Sequence, residues 1–224
     1  MVRVVDEYIN KRTWRVNENA NRIPSIGGLK TYIAEKTIAK HTLSLYDEEV
    51  RRALAVTEEL WKGERGDPRP HLLLKLLLHT AIKKSECISI HLEHIDRSAP
   101  GGPFVYIRYD NPDKKIKERK LPLPDDILPV LDAYLECYQP GDLLFPCTAR
   151  NLEYVLADVA ARAGIKKRGK EGISFEMLRW TAAVRDYRAG MDETLLRQKL
   201  GISEVTWKET RKKLDALTAA GRET

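Results

Sequence analysis

The sequence predicts an α+β domain that is mostly α-helical, with one small central β-hairpin or sheet. Three observations lead there. From residue 46 onward apolar residues recur mainly at helical spacing, while residues 101–124 alone change to a period of two. The longest apolar run, "HLLLKLLLHTAI", is interrupted by Lys75 and falls short of the roughly 20 residues that span a bilayer. At 224 residues, the chain is long enough for one large domain, or one domain with a small appendage.

The elements follow in order. Residues 1–45 have no strong periodicity until "LKTYIAEKTIAKHTL" (29–43), which has helical spacing; "IPSIGG" (23–28) reads as a flexible joint before it. Residues 1–60 are therefore expected to form an amino-terminal helical extension, with the main domain over 61–224. "DEEVRRALAVTEELW" is a helix with Asp47 as its cap and acids in its first turn, ending near Gly63. Pro68 and Pro70 keep "GERGDPRP" a loop. A strongly apolar helix is expected over about 70–83. "FVYIRY" and "KERKLPL" are strands on either side of an Asn-Pro-Asp turn, a hairpin. "DDILPVLDAYLECY" is helical with Pro129 in its first turn. "ARNLEYVLADVAARAG" is a helix closed by Gly164, and "IKKRGKEG" a basic loop. Three further helices cover about 174–189, "DETLLRQKLG" and "SEVTWKETRKKLDALTAA", where Trp207 and Leu214 read as core.

Composition narrows the partners. Three cysteines without CxxC or CxxH spacing suit a reducing cytoplasm and argue against zinc. His91 and His94 have no third ligand in view, so His71, His79, His91 and His94 read as packing or surface, and no metal or cofactor is expected. The net charge of +6 means less than its distribution. Residues 162–188 hold eight basic against three acidic side chains, and residues 111–120 hold five against two. Two such clusters are either a polyanion footprint or two solvated loops.

Four segments, in this order, resemble the boxes of the tyrosine recombinase (phage integrase) catalytic domain. "LLLKLLLHTAIKKSECISIHLEHID" (72–96) resembles an apolar helix ending T-G-L-R-x-S-E-L, followed by L-x-x-x-D-I. "DKKIKERKLPLP" (113–124) resembles G-K-x-x-K-x-R-x-V-P-L. "FEMLRWTAA" (175–183) resembles H-x-L-R-H-T-F-A, and "LLRQKLGISEVTW" (195–207) resembles the box around L-G-H-S. The resemblance implies a domain that binds duplex DNA and moves a phosphoryl group onto a tyrosine. Arginines would hold the non-bridging oxygens, a hairpin lysine would protonate the leaving hydroxyl, and a histidine would assist.

This chain departs from that pattern. The first arginine position holds Lys83, which keeps the charge but loses the planar fork, with Lys84 beside it to share the task. The hairpin lysine is Lys114, with Lys115 and Lys117 as close alternatives. Arg179 is retained, either as a phosphate ligand or in a salt bridge with Glu176, which stands in place of a histidine. Trp180 replaces the next histidine and Ile202 the L-G-H histidine. The nucleophile position falls at Arg211, and no tyrosine occurs after Tyr187. Ser203, Thr206 and Thr210 are nearby hydroxyls without an evident base.

The expectation is a DNA-binding protein with a degenerate active site that does not cleave. It would grip duplex backbone through Lys83, Lys84, Lys114, Lys115, Lys117, Arg119, Lys166, Lys167, Arg168, Lys170 and Arg179. Such a protein would be cytoplasmic, and nucleoid-associated when bound. Two alternatives remain. One is an active recombinase for DNA integration whose nucleophile is displaced or supplied by a partner. The other is an interaction module without a DNA role, forming homo-oligomers as "TWKETRKKLDAL" docks on a neighbouring subunit.

Overall fold

The apolar run at 72–78 becomes the centre of the fold. The computed structural model describes residues 44–64, 66–167 and 170–220; segments 23–28 and 29–43, together with Arg168, lie outside them. Helix α2 (Arg69–Thr80) buries all six of its leucines, Leu72, Leu73, Leu74, Leu76, Leu77 and Leu78. A helix apolar around its whole circumference needs neighbours on every side. Here α1 (Asp47–Lys62), α4 (Leu128–Tyr138), α5 (Ala149–Arg162) and α6 (Phe175–Arg188) pack against it. Contacts group residues 43–224 into one compact unit, and within it Ala53 of α1 is part of the core. No helix among the described residues is long and apolar enough to cross a membrane.

Local chemistry explains most boundaries. α1 begins at Asp47 itself, with Asp47, Glu48 and Glu49 in the first turn where the helix dipole favours anions. The residue before it is Tyr46, whose N–H donates to Glu49 Oε2 at 2.8 Å, so Asp47 is inside the helix and not its cap. His71 sits in the core, 2.8 Å from Thr57 Oγ1 through Nδ1 and stacked on Trp61. Pro129 does lie in the first turn of α4.

The apolar helix ends three residues earlier than its pattern suggests. Ala81 turns left-handed at φ 53°, and a new short helix, α3 (Lys84–Cys87), follows. Lys83 and Lys84 therefore stand at the start of a helix and not at the end of one. The favourable interaction of cations with a helix C-terminus is unavailable to them.

Residues 95–122 form a three-stranded antiparallel sheet in the order β1 (Ile95–Asp96), β2 (Phe104–Ile107), β3 (Arg119–Pro122), with Val105 opposite Leu121. β1 is too short to register as a period. The expected Asn-Pro-Asp turn is instead the start of a 3-10 helix, Pro112–Lys117, in which Asn111 Oδ1 accepts from Asp113 N–H at 2.9 Å. The basic loop after α5 also has structure, because β4 (Lys166–Lys167) pairs with β5 (Lys170–Glu171).

α6 joins two cores. Its N-cap is Ser174, whose Oγ accepts from Met177 N–H at 3.2 Å. Phe175, Met177 and Leu178 enter the main core, while Ala182, Ala183 and Val184 enter a second. That second core is closed by α7 (Glu193–Leu200) and α8 (Glu204–Ala220) through Leu196, Leu200, Trp207, Leu214 and Leu217. The apolar face of α8, which the sequence offers to a neighbouring subunit, is packed within its own chain.

Candidate functional site

The basic side chains sort into those that face inward and those that face water. Arg179 faces inward and is only 8% exposed. One Nη donates to the carbonyl of Ala81 and the other to the carbonyl of Leu200, the latter at 2.6 Å. These are carbonyls at the C-terminal ends of α2 and α7, which lack partners within their own helices and carry partial negative charge. Burial pulls the guanidinium below its ordinary pKa, and the nearby Glu86 charge opposes that. Glu176 does not pair with it: Oε1 accepts from Trp180 Nε1 at 2.8 Å, one turn further on. Lys213 of α8 lies over the Trp180 ring at 5.6 Å. The positions of both box histidines are thus joined through a partly buried indole, with the acid on one side and the ammonium on the other.

Arg119 also faces inward, against the expectation that it belongs to an exposed basic tip. Its guanidinium meets Glu86 in a bidentate pair, Nη2 to Oε2 at 2.9 Å and Nη1 to Oε1 at 3.1 Å. Nε donates to the carbonyl of Lys199 at 2.9 Å. The arginine side chain is 8% exposed and the glutamate 0%. Glu86 further accepts from the Lys83 N–H at 2.8 Å and from the Tyr109 hydroxyl. Burial pushes the Glu86 carboxyl up, but Arg119, then Lys83 N–H and Tyr109, outweigh it and hold the carboxyl below its usual value. Both residues belong to the boxes quoted above, so the signal was in the sequence; their mutual pairing was not.

Lys83 is half-buried beside this network. Desolvation lowers its pKa first; Glu86 opposes, and the charges of Arg179, Lys117 and Arg119 lower it further. Lys83 thus feels the charges of Arg179, Lys117 and Arg119 as well as that of the buried Glu86 carboxylate. Lys84 points to α5, 2.8 Å from Glu153 in a solvent-exposed pair. Lys114, Lys115 and Lys117 are exposed on the 3-10 helix. Lys166, Lys167 and Lys170 lie on the β4–β5 hairpin.

The nucleophile region is differently occupied. Arg211 on α8 pairs with Glu193, Nε to Oε1 at 3.2 Å. Ile202 joins the edge of the second core. Ser203 Oγ and Thr206 Oγ1 are 2.9 Å apart and bond each other, and Thr210 Oγ1 donates to the Thr206 carbonyl. Tyr187 donates to Asp215 Oδ1 at 2.7 Å; that bond, then burial, raises its pKa and disfavours the phenolate. None of these hydroxyls has a base beside it that would activate it.

Comparison with known proteins bears on the family and the fold. The sequence model of the phage integrase family matches residues 44–207. Tyrosine recombinase XerC of Staphylococcus carnosus (strain TM300) is 29% identical over 167 residues, covering 70% of this chain and 52% of that protein. XerC of Staphylococcus haemolyticus (strain JCSC1435) is 30% identical over 167 residues with the same coverage. The chain thus spans about half the length of the curated relatives it matches. Among solved structures, XerA recombinase superposes with a TM-score of 0.62 at 19% identity, covering 98% of this chain and 72% of that one. The catalytic domain of bacteriophage HP1 integrase gives 0.54 at 20% identity, covering 80% and 90%. The ordered boxes, the shared fold and a family match across most of the chain lead to one conclusion: this protein belongs to the phage integrase family.

Proposed function

We propose that this chain grips duplex DNA through the phosphate backbone without cleaving it. The observation that carries this reading is Arg211. The position where the family resemblance requires a tyrosine holds an arginine already paired with Glu193, and no tyrosine occurs between residues 188 and 224. The substitutions at Trp180 and Ile202 point the same way, since neither side chain does acid–base chemistry, and Glu176, a carboxylate capable of it, is bonded to Trp180. The grip rests on the half-buried Lys83 and the exposed Lys114, Lys115 and Lys117, supported by the lysines of the β4–β5 hairpin. Arg119 and Arg179 contribute field and rigidity from within. The XerH recombinase, which shares this fold with a TM-score of 0.62 at 20% identity, was solved bound to palindromic difH substrate.

Two measurements test the two halves of this proposal. Affinity for a short duplex should fall linearly on a log–log plot against salt, with a slope of about −0.9 per phosphate neutralised. Lys114→Glu/Lys115→Glu/Lys117→Glu should flatten that slope by about 2.7 and weaken binding at least roughly tenfold at low salt. A salt-independent affinity, or an unchanged triple variant, overturns the grip. Incubation with nicked duplexes followed by a denaturing gel should leave no covalent adduct; a persistent adduct would show that a nucleophile exists and overturn the no-cleavage half.

A further inference from the structure

The phosphate grip leaves unused the most exposed large apolar side chain among the described residues. Ile116 is 91% exposed. It stands on the 3-10 helix Pro112–Lys117, between Lys115 and Lys117. With three residues per turn, Lys114 and Lys117 share one face, Lys115 occupies a second, and Ile116 shares the third with Asp113, one turn back. The isoleucine thus has ammonium groups on both neighbouring faces, Lys114 and Lys117 on one and Lys115 on the other.

The segment is braced at both ends. Asn111 Oδ1 accepts from Asp113 N–H, and Glu118 Oε1 accepts from Tyr109 N–H at 3.0 Å. Arg119, pinned by Glu86, donates through Nη1 to the Lys117 carbonyl at 3.1 Å. A braced loop that holds an isoleucine out in water gains nothing from it within its own fold. Lysines around it disfavour an apolar protein partner, because the cores of protein interfaces are depleted of charge. Duplex DNA meets both requirements, with phosphates for the lysines and apolar base faces at any step that is pried open. A β-branched side chain with a stiff χ1 suits that insertion.

We infer that Ile116 is a wedge that enters a base step and bends the duplex, while Lys114, Lys115 and Lys117 hold the flanking phosphates. This inference rests on the proposed DNA grip and deepens it.

The test uses the full chain and ligase-driven circularisation of a duplex of about 150 base pairs, near the persistence length, where closure is sensitive to bending. Gel shifts first establish equal occupancy for each protein. The wild-type chain should accelerate ring closure. Ile116→Ser should bind but lose that acceleration, and Ile116→Leu should keep it. If wild type and Ile116→Ser accelerate closure equally, or neither does at confirmed occupancy, the wedge is overturned and the grip stands. If the wild-type chain does not bind the duplex at low salt, the wedge falls together with the grip. Ile116 is outside the core, so Ile116→Ser should fold as wild type does, and a matching circular dichroism melt checks this.

Discussion

Glu86→Ala should destabilise the domain by about 3–5 kcal/mol, the usual cost of leaving one partner of a buried ion pair alone. For a domain of this size that is a fall in Tm of roughly 6–20 °C. The carboxylate accepts from both Arg119 Nη atoms, from the Lys83 backbone and from Tyr109. Its removal orphans a guanidinium that is almost fully enclosed. Glu86→Leu/Arg119→Met, which removes both charges, should lose much less than the single variant. Denaturant unfolding of the three proteins checks this, and a double variant as damaged as Glu86→Ala would show that packing, not charge, dominates. The pair also has a pH signature. The folded carboxyl is held below its usual value, so its stabilisation is fully present above the unfolded pKa of about 4.3 and disappears as pH falls through the folded one. The double variant should lack that part of the acid transition.

Gly201→Ala should cost about 2–4 kcal/mol, from a left-handed backbone and a displaced ion pair together. Gly201 has φ +58°, and a Cβ there would lie 2.6 Å from Arg119 Nη1 and 2.8 Å from its Cζ. An arginine tip in water would swing aside easily, but this one is locked onto Glu86 and the Lys199 carbonyl. The two variants act through the same guanidinium, so Glu86→Ala/Gly201→Ala should lose clearly less than the sum of the singles. An effect of Gly201→Ala below about 0.5 kcal/mol would mean that Arg119 relaxes freely, and would undercut the account of this network as rigid.

Most helices were legible because their apolar periodicity and their caps agree; α5 and α6 differ from their patterns by a residue or two. Failures occurred where the backbone turns on a tertiary contact. α2 looks as if it runs to residue 83, but Ala81 goes left-handed where its carbonyl meets Arg179. The six residues after Asn111 look like a tight turn because Asn-Pro-Asp is turn chemistry; the same Asn and Pro instead cap a 3-10 helix. The candidate site was legible as a set of basic residues but not as an arrangement. Arg119 and Lys117 are two residues apart, yet one guanidinium is enclosed and the other side chain is in water.

By itself the sequence determined the order of the boxes, and with it the family. It also contained the departures from the resemblance: Glu176, Trp180, Ile202 and Arg211 stand where the family pattern has histidines and a tyrosine. Which cations are enclosed and which face water was settled by the tertiary fold. A long charged side chain takes its partner from whatever the fold brings near, and those partners are remote in the chain. Glu86 lies 33 residues from Arg119, and Ala81 lies 98 residues from Arg179. Periodicity records which way a residue faces from its own helix or strand, but it carries no information about a carbonyl or carboxylate arriving from another element.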